Sequence, residues 1–122
     1  MKWLFIIHLC LVAAIYGCRE AKPVMIQEFI PGTYIRSSSH EFGSENDTVS
    51  ISVLNASANE YTITRRWRYE RTELPPTYQL TTSAGIYYPD EKVLQDLESG
   101  DLLSFDVKEE CLFIGTTKYK KL

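Results

Sequence analysis

The feature that most constrains this chain is a period-two alternation from Thr48 to Arg71, interrupted once by Asn55–Asn59 (NASAN). In the first run Val49, Ile51 and Val53 face one way, and Thr48, Ser50 and Ser52 face the other. In the second, Tyr61, Ile63, Trp67 and Tyr69 share a face, and Thr62, Thr64, Arg66, Arg68 and Glu70 share the opposite one. Side chains alternate across a strand and recur every 3.6 residues around a helix. Two half-buried strands joined by a turn fit this pattern, and a helix does not.

The remainder continues in the same style. Pro31-Gly32 marks a turn before a β-prone run through Ser37, and Ser38 to Asp47 is polar and reads as loop. Leu74-Pro75-Pro76 ends the long strand. Thr77 to Ala84 alternates again, with Gly85 to Tyr88 extending it, and Pro89-Asp90 turns the chain. Glu91 to Leu97 suits one helical turn or a strand. The strand is preferred because Ser99-Gly100-Asp101 then closes a hairpin onto Leu102–Val107. Cys111 to Leu122 reads as the last strand. The expectation is an all-β domain: an antiparallel meander of seven or eight strands, forming a small barrel or a rolled sheet.

Ahead of this domain, Trp3 to Ile15 is apolar apart from His8 and follows Lys2. As a helix it would rise about 20 Å, short of the roughly 30 Å hydrocarbon core. That is the length of a secretory signal core. It ends in Tyr16-Gly17-Cys18. A small residue followed by a cysteine resembles the bacterial lipoprotein signal, or lipobox. The resemblance implies a diacylglycerol on the Cys18 sulfur, cleavage after Gly17 and an N-acyl chain on the new terminus. Each buried methylene contributes about 0.8 kcal/mol, and two or more chains hold a protein at a bilayer. The expected organisation is a signal peptide (1–17), a lipidated cysteine with a charged tether (18–28) and a β-barrel domain (29–122). The expected location is the cell envelope, anchored to the outer or inner membrane, with the domain in the periplasm or at the cell surface.

Charge and cysteine usage narrow the function. The chain has 13 basic and 16 acidic residues, and the leader removes one of the basic ones, so the mature part is mildly acidic. A nucleic-acid-binding domain would be basic. Of three cysteines, Cys10 leaves with the signal and Cys18 is acylated. Cys111 is then left without a disulfide partner, and reads as a small buried hydrophobe at a strand start.

Gly32-Thr33-Tyr34 at the first strand resembles the opening of lipocalin-like small barrels, whose aromatic residue plugs the closed end; Tyr34 stands where that family has tryptophan. The long middle strand and the basic closing strand (Lys118, Lys120, Lys121) are similar too. Taken together, PGTY, HEFG, TTSAGIYY, LLSFD and LFIGTTKYKKL resemble small lipoproteins of Bacteroidota. This implies location and fold, and no activity.

No catalytic set stands out. Ser37-Ser38-Ser39-His40-Glu41 puts hydroxyl, base and carboxylate next to one another, whereas a triad converges from separate segments. One histidine after the leader cannot make a three-ligand zinc site. Glu41–Asp47 lacks the alternating ligands of a calcium loop and reads as a solvated loop. Asp47-Thr48-Val49 resembles the short acceptor for O-glycosylation in some Bacteroidota, with Thr48 as the acceptor. Arg65 shares a face with Ile63 and Trp67. Inside a barrel it needs a carboxylate partner or an anionic ligand, unless it reaches water at a strand end.

The leading expectation is therefore a non-enzymatic, membrane-anchored binding module for an envelope protein. The alternative is a carrier of a small, acidic or carbohydrate ligand in a cavity lined by Tyr34, Ile63, Arg65, Trp67, Tyr69, Tyr78 and Phe105. An envelope hydrolase would be a third reading, and the sequence supplies no constellation for it. No metal or cofactor is expected beyond the acyl chains on Cys18.

Overall fold

A computed structural model describes residues 26–122. The leader, Gly17, Cys18 and the first part of the tether lie outside the described residues. Eight antiparallel strands run in simple meander order and close into a barrel: β1 Gly32–His40, β2 Gly43–Asn55, β3 Glu60–Arg71, β4 Thr77–Tyr88, β5 Val93–Asp96, β6 Leu102–Asp106, β7 Cys111–Ile114 and β8 Thr117–Lys121.

The expected class and topology are what the structure has, with the closed form and the higher strand count. Closure rests on two pairs, Tyr34↔Lys121 and Ile35↔Lys120.

Two expectations need correction. Ser38–Asp47 is not a loop: β1 runs to His40, β2 begins at Gly43, and only Glu41-Phe42 turn. The polar residues there are strand residues whose inward face meets other polar groups, so no apolar alternation appears. Cys111–Leu122 is two strands, because Gly115, with φ 61, turns the chain between them. Val53 keeps the phase of Val49 and Ile51, opposite the buried Tyr61, but near the end of the strand it is 49% exposed. Before β1, where the tether was expected to continue through Glu28, Ile26–Phe29 forms one helical turn, α1.

The interior is divided along its length. At one end Phe29, Ile30, Tyr34, Val49, Ile51, Tyr61, Ile63, Tyr87, Leu94, Leu103 and Leu112 form a contiguous buried cluster. Fully burying one such side chain contributes about 1.5–3 kcal/mol. α1 lies over this end. It delivers Phe29 into edge-to-face contact with Tyr34 (6.1 Å) and Phe105 (6.3 Å). The Tyr34 hydroxyl donates to the Phe29 and Ile30 carbonyls at 3.1 and 2.9 Å. Tyr34 thus ties down the chain that enters β1. Gly32 allows the last stroke of closure: its φ is +148, and a Cβ there would meet Lys121 Cε at 2.7 Å. Lys121 crosses this gap to donate to the Phe29 carbonyl, with its ammonium 4.0 Å from the centre of the Phe29 ring.

At the other end the strands are unequal. β5–β8 are short, while β1–β4 continue past them as a four-stranded blade. Beyond Ile35, β1 has no partner on its outer side, and β4 is paired on that side only from Gly85 onward. Gly85 marks the bend from blade to barrel, where a Cβ would sit 2.7 Å from Ile63 Cδ1 and 3.1 Å from the Gln95 carbonyl oxygen. The blade root forms the mouth of the barrel.

Candidate functional site

Directly paired residues in antiparallel strands point to the same side. Counting through the registers, Glu45, Asp47, Arg65, Trp67, Tyr69, Gln79 and Thr81 face inward at the mouth, together with Tyr119 from β8. Asp47 is 8% exposed and is the acceptor of a 2.6 Å hydrogen bond from Tyr119 Oη. Burial, then the hydrogen bond and negative charge of Asp47, push the Tyr119 phenol up to about 12. Arg65 approaches the same carboxylate at 3.9 Å and donates through Nη1 to Asp101 at 3.3 Å. The alternatives for Arg65 therefore resolve in favour of carboxylates: Asp47 and Asp101 lie against its guanidinium, while Arg36, paired with Asp47, faces the same side of the sheet.

Trp67 Nε1 donates to Glu45 Oε1 at 2.9 Å. Its ring is parallel to that of Tyr69, with centroids 5.8 Å apart. Tyr69 in turn stacks on His40 at 6.0 Å and lies under the Arg71 guanidinium at 5.3 Å. The rings thus fix one another at the spacing of alternate strand residues.

Asp96 builds the rim opposite. It accepts from Ser83 Oγ (2.9 Å), from the Glu98 amide (2.9 Å) and from the Ser99 amide (3.2 Å). Burial by itself would raise this carboxyl; the hydrogen bonds from Ser99, Ser83 and Glu98 outweigh it and hold the pKa below the ordinary value. The turn built on Asp96 presents Ser99 and Asp101 to the mouth. Between blade and rim lies an open cavity of about 370 Å³ lined by Asp47, Arg65, Trp67, Gln79, Thr81 and Ser99. On the outer face of the blade a second depression, of about 520 Å³, is lined chiefly by Asn46, Thr48, Arg66, Arg68, Tyr78 and Leu80.

Of the residues expected to line a cavity, the structure brings Arg65 and Trp67 to it, with Tyr69 stacked behind. Tyr34 and Ile63 belong to the sealed core, and Phe105 packs on Tyr34 at 5.9 Å. Tyr78 lies on the other side of the sheet, 65% exposed, with Arg68 5.6 Å from its ring centre. The phase of β4 decides this. Gly85 and Tyr87 face in, so counting back by twos brings in Gln79 and Thr81 and puts Tyr78 and Leu80 outside. Hydrophobicity alone selects the wrong face.

Asp47, Gln79, Thr81, Ser99, Asp101 and Tyr119 were not picked out from the sequence. For Asp47 the signal was its phase with Val49 and Ile51. Thr48 is half-buried on the outer face. Cys111 is buried at the start of β7, and its burial pushes the thiol pKa up, away from the reactive thiolate. His40 is exposed and engages Tyr69 and the Phe42 amide (3.3 Å). Among the described residues no cluster of three His, Cys, Asp or Glu side chains is placed to hold a metal.

In comparisons with protein-family models, curated proteins and solved structures, nothing matches this chain.

Proposed function

We propose that this protein is an envelope lipoprotein anchored through Cys18, and that its barrel is a non-catalytic binding module with its ligand site at the mouth. The cavity beside Arg65 and Trp67 carries this reading. Its volume, about 370 Å³, falls in the range of small-molecule sites. Its lining supplies one aromatic surface, one amide, two hydroxyls and an internally neutralised guanidinium. Such a set suits a neutral, hydroxyl-rich ligand such as a sugar ring. The ring would lie against Trp67 and hydrogen-bond to Gln79, Thr81 and Ser99. The floor beneath is filled by side chains, so the ligand is held at the rim and not enclosed.

Trp67 is the only tryptophan after the leader, so its fluorescence reports on the site directly. Titration of the processed chain with neutral mono- and disaccharides should shift or quench that emission, and Gln79→Ala should weaken the response. A spectrum unmoved by any neutral sugar, but moved by sugar acids or phosphates, would refute the ligand assignment. Mass spectrometry of the mature N-terminus tests the anchor separately. An unmodified thiol in a chain that retains residues 1–17 would refute that part.

A second reading, docking of a protein partner, is favoured by the exposed Tyr78 and Leu80 on the blade.

A further inference from the structure

We infer that the free edge of β4 is a self-pairing surface, which joins two copies of this chain through antiparallel pairing centred on Leu80. The inference stands on the blade edge and does not need the anchor; two of the edge residues, Gln79 and Thr81, also line the mouth cavity. From Thr77 to Thr82 every residue of β4 is exposed, and pairing on the outer side begins only at Gly85. An unpaired strand edge offers a row of N–H and C=O groups to another chain. Proteins usually blunt such edges with charge, proline or a bulge. This one has none of these: Thr77, Tyr78, Gln79, Leu80, Thr81 and Thr82 are uncharged, and Pro75-Pro76 stand just before the edge.

Charge selects the occupant. About a two-fold axis through Leu80, Leu80 meets its own copy, Gln79 meets Thr81 and Tyr78 meets Thr82, with no charged residue in the pairing. The two exposed apolar side chains, at 65% and 63%, are covered on one face. Gln79 and Thr81 can share hydrogen bonds on the other. Arg66 and Arg68 lie one strand back, opposite Leu80 and Tyr78. They are three strand spacings from their counterparts, about 14 Å, beyond the Debye length at physiological salt. The other free edge, Arg36–His40, lacks this self-complementarity. A two-fold axis at Ser38 would set the Arg36 guanidinium against the His40 ring, with no carboxylate opposite it. Strand addition supplies affinity through main-chain bonds, and the alternate side chains set the register. The outcome is one continuous eight-stranded sheet, with the 520 Å³ depression extended across the axis.

The test uses the full chain with Leu80→Cys in its native membranes under mild oxidation. Facing residues in an antiparallel pair have Cα atoms about 4.5–5.5 Å apart, within disulfide reach. A cross-linked species of twice the chain mass should form, and it should not form in the parent chain or in Ser38→Cys on the β1 edge. Sedimentation of the detergent-solubilised chain at about 1 mM should give two protein chains per particle, reduced to one by Leu80→Lys. Leu80 is exposed, so Leu80→Lys leaves the fold intact, which circular dichroism checks. Equal cross-linking at Ser38, a single-chain mass for the parent, or a dimer that persists in Leu80→Lys would each overturn the inference.

Discussion

Tyr119→Phe tests the polar half of the interior. The substitution removes one oxygen and keeps the ring, which is 2% exposed. The lost bond, 2.6 Å to Asp47, is one that a buried carboxylate cannot replace with water. Arg65, at 3.9 Å, is left as the neighbouring cation. Hydrogen bonds to charged groups contribute about 1.5–3 kcal/mol. For a domain of this size that corresponds to a fall in Tm of about 6–24 °C.

The pH dependence separates this bond from mere packing. The Tyr119 pKa is about 12 in the fold against 10 for a free phenol. A raised pKa means that the folded state favours the protonated form. The resulting stability is fully present below pH 10 and is lost as the pH rises toward 12. The two-unit difference corresponds to at most about 3 kcal/mol. Phenylalanine has nothing to ionise, so the gap between wild type and Tyr119→Phe should narrow between pH 7 and pH 11. Tyr34, Tyr61 and Tyr87 are also shifted up by burial, so both proteins should keep a common alkaline decline. Urea unfolding followed by circular dichroism at the two pH values measures the gap. A gap that stays constant or widens at pH 11 would refute the assignment of the energy to the Tyr119–Asp47 bond. A second check is Asp47→Asn with Tyr119→Phe. If the bond is the shared element, the double variant should be destabilised by less than the sum of the singles.

Two further outcomes follow from the same structure. Gly85→Ala should cost about 1–3 kcal/mol in urea unfolding, because the added methyl must displace Ile63 and press on the Gln95 carbonyl at the bend of β4. Asp96 has a lowered pKa, so its contribution is present above the ordinary carboxylate range and fades as pH falls through the folded-state value. Asp96→Asn should therefore be destabilised at pH 7 and should lose less stability than wild type on acidification to pH 2, as read by thermal melts.

The sequence made the fold legible wherever one face of a strand meets the apolar floor. Val49, Ile51, Tyr61 and Ile63 announce their strands because burial there is hydrophobic. The blade was hidden for the complementary reason. Its inward face is Glu45, Asp47, Trp67, Gln79 and Thr81, a mixture whose alternation is chemical and not hydropathic. Ser38–Asp47 therefore resembled loop, and Tyr78 read as a residue lining the cavity. Arg65 and Trp67 could be found because a cation and a large aromatic between buried residues demand partners. Asp101 and Ser99 could not, because they arrive from a turn on another hairpin whose shape depends on Asp96.

The placement of Arg65 has a consequence for affinity as well as for ligand charge. Removing water from a guanidinium costs several kcal/mol unless hydrogen bonds replace it. Here Arg65 stays partly wet and already faces two carboxylates, so a ligand entering the mouth need not neutralise it. What a ligand gains is the Trp67 face and hydrogen bonds to neutral groups, and these depend little on ionic strength. Binding at the mouth should therefore be nearly indifferent to salt, whereas a site that captured anions through Arg65 would weaken as salt rises. Repeating the Trp67 fluorescence titration in low and high salt distinguishes the two.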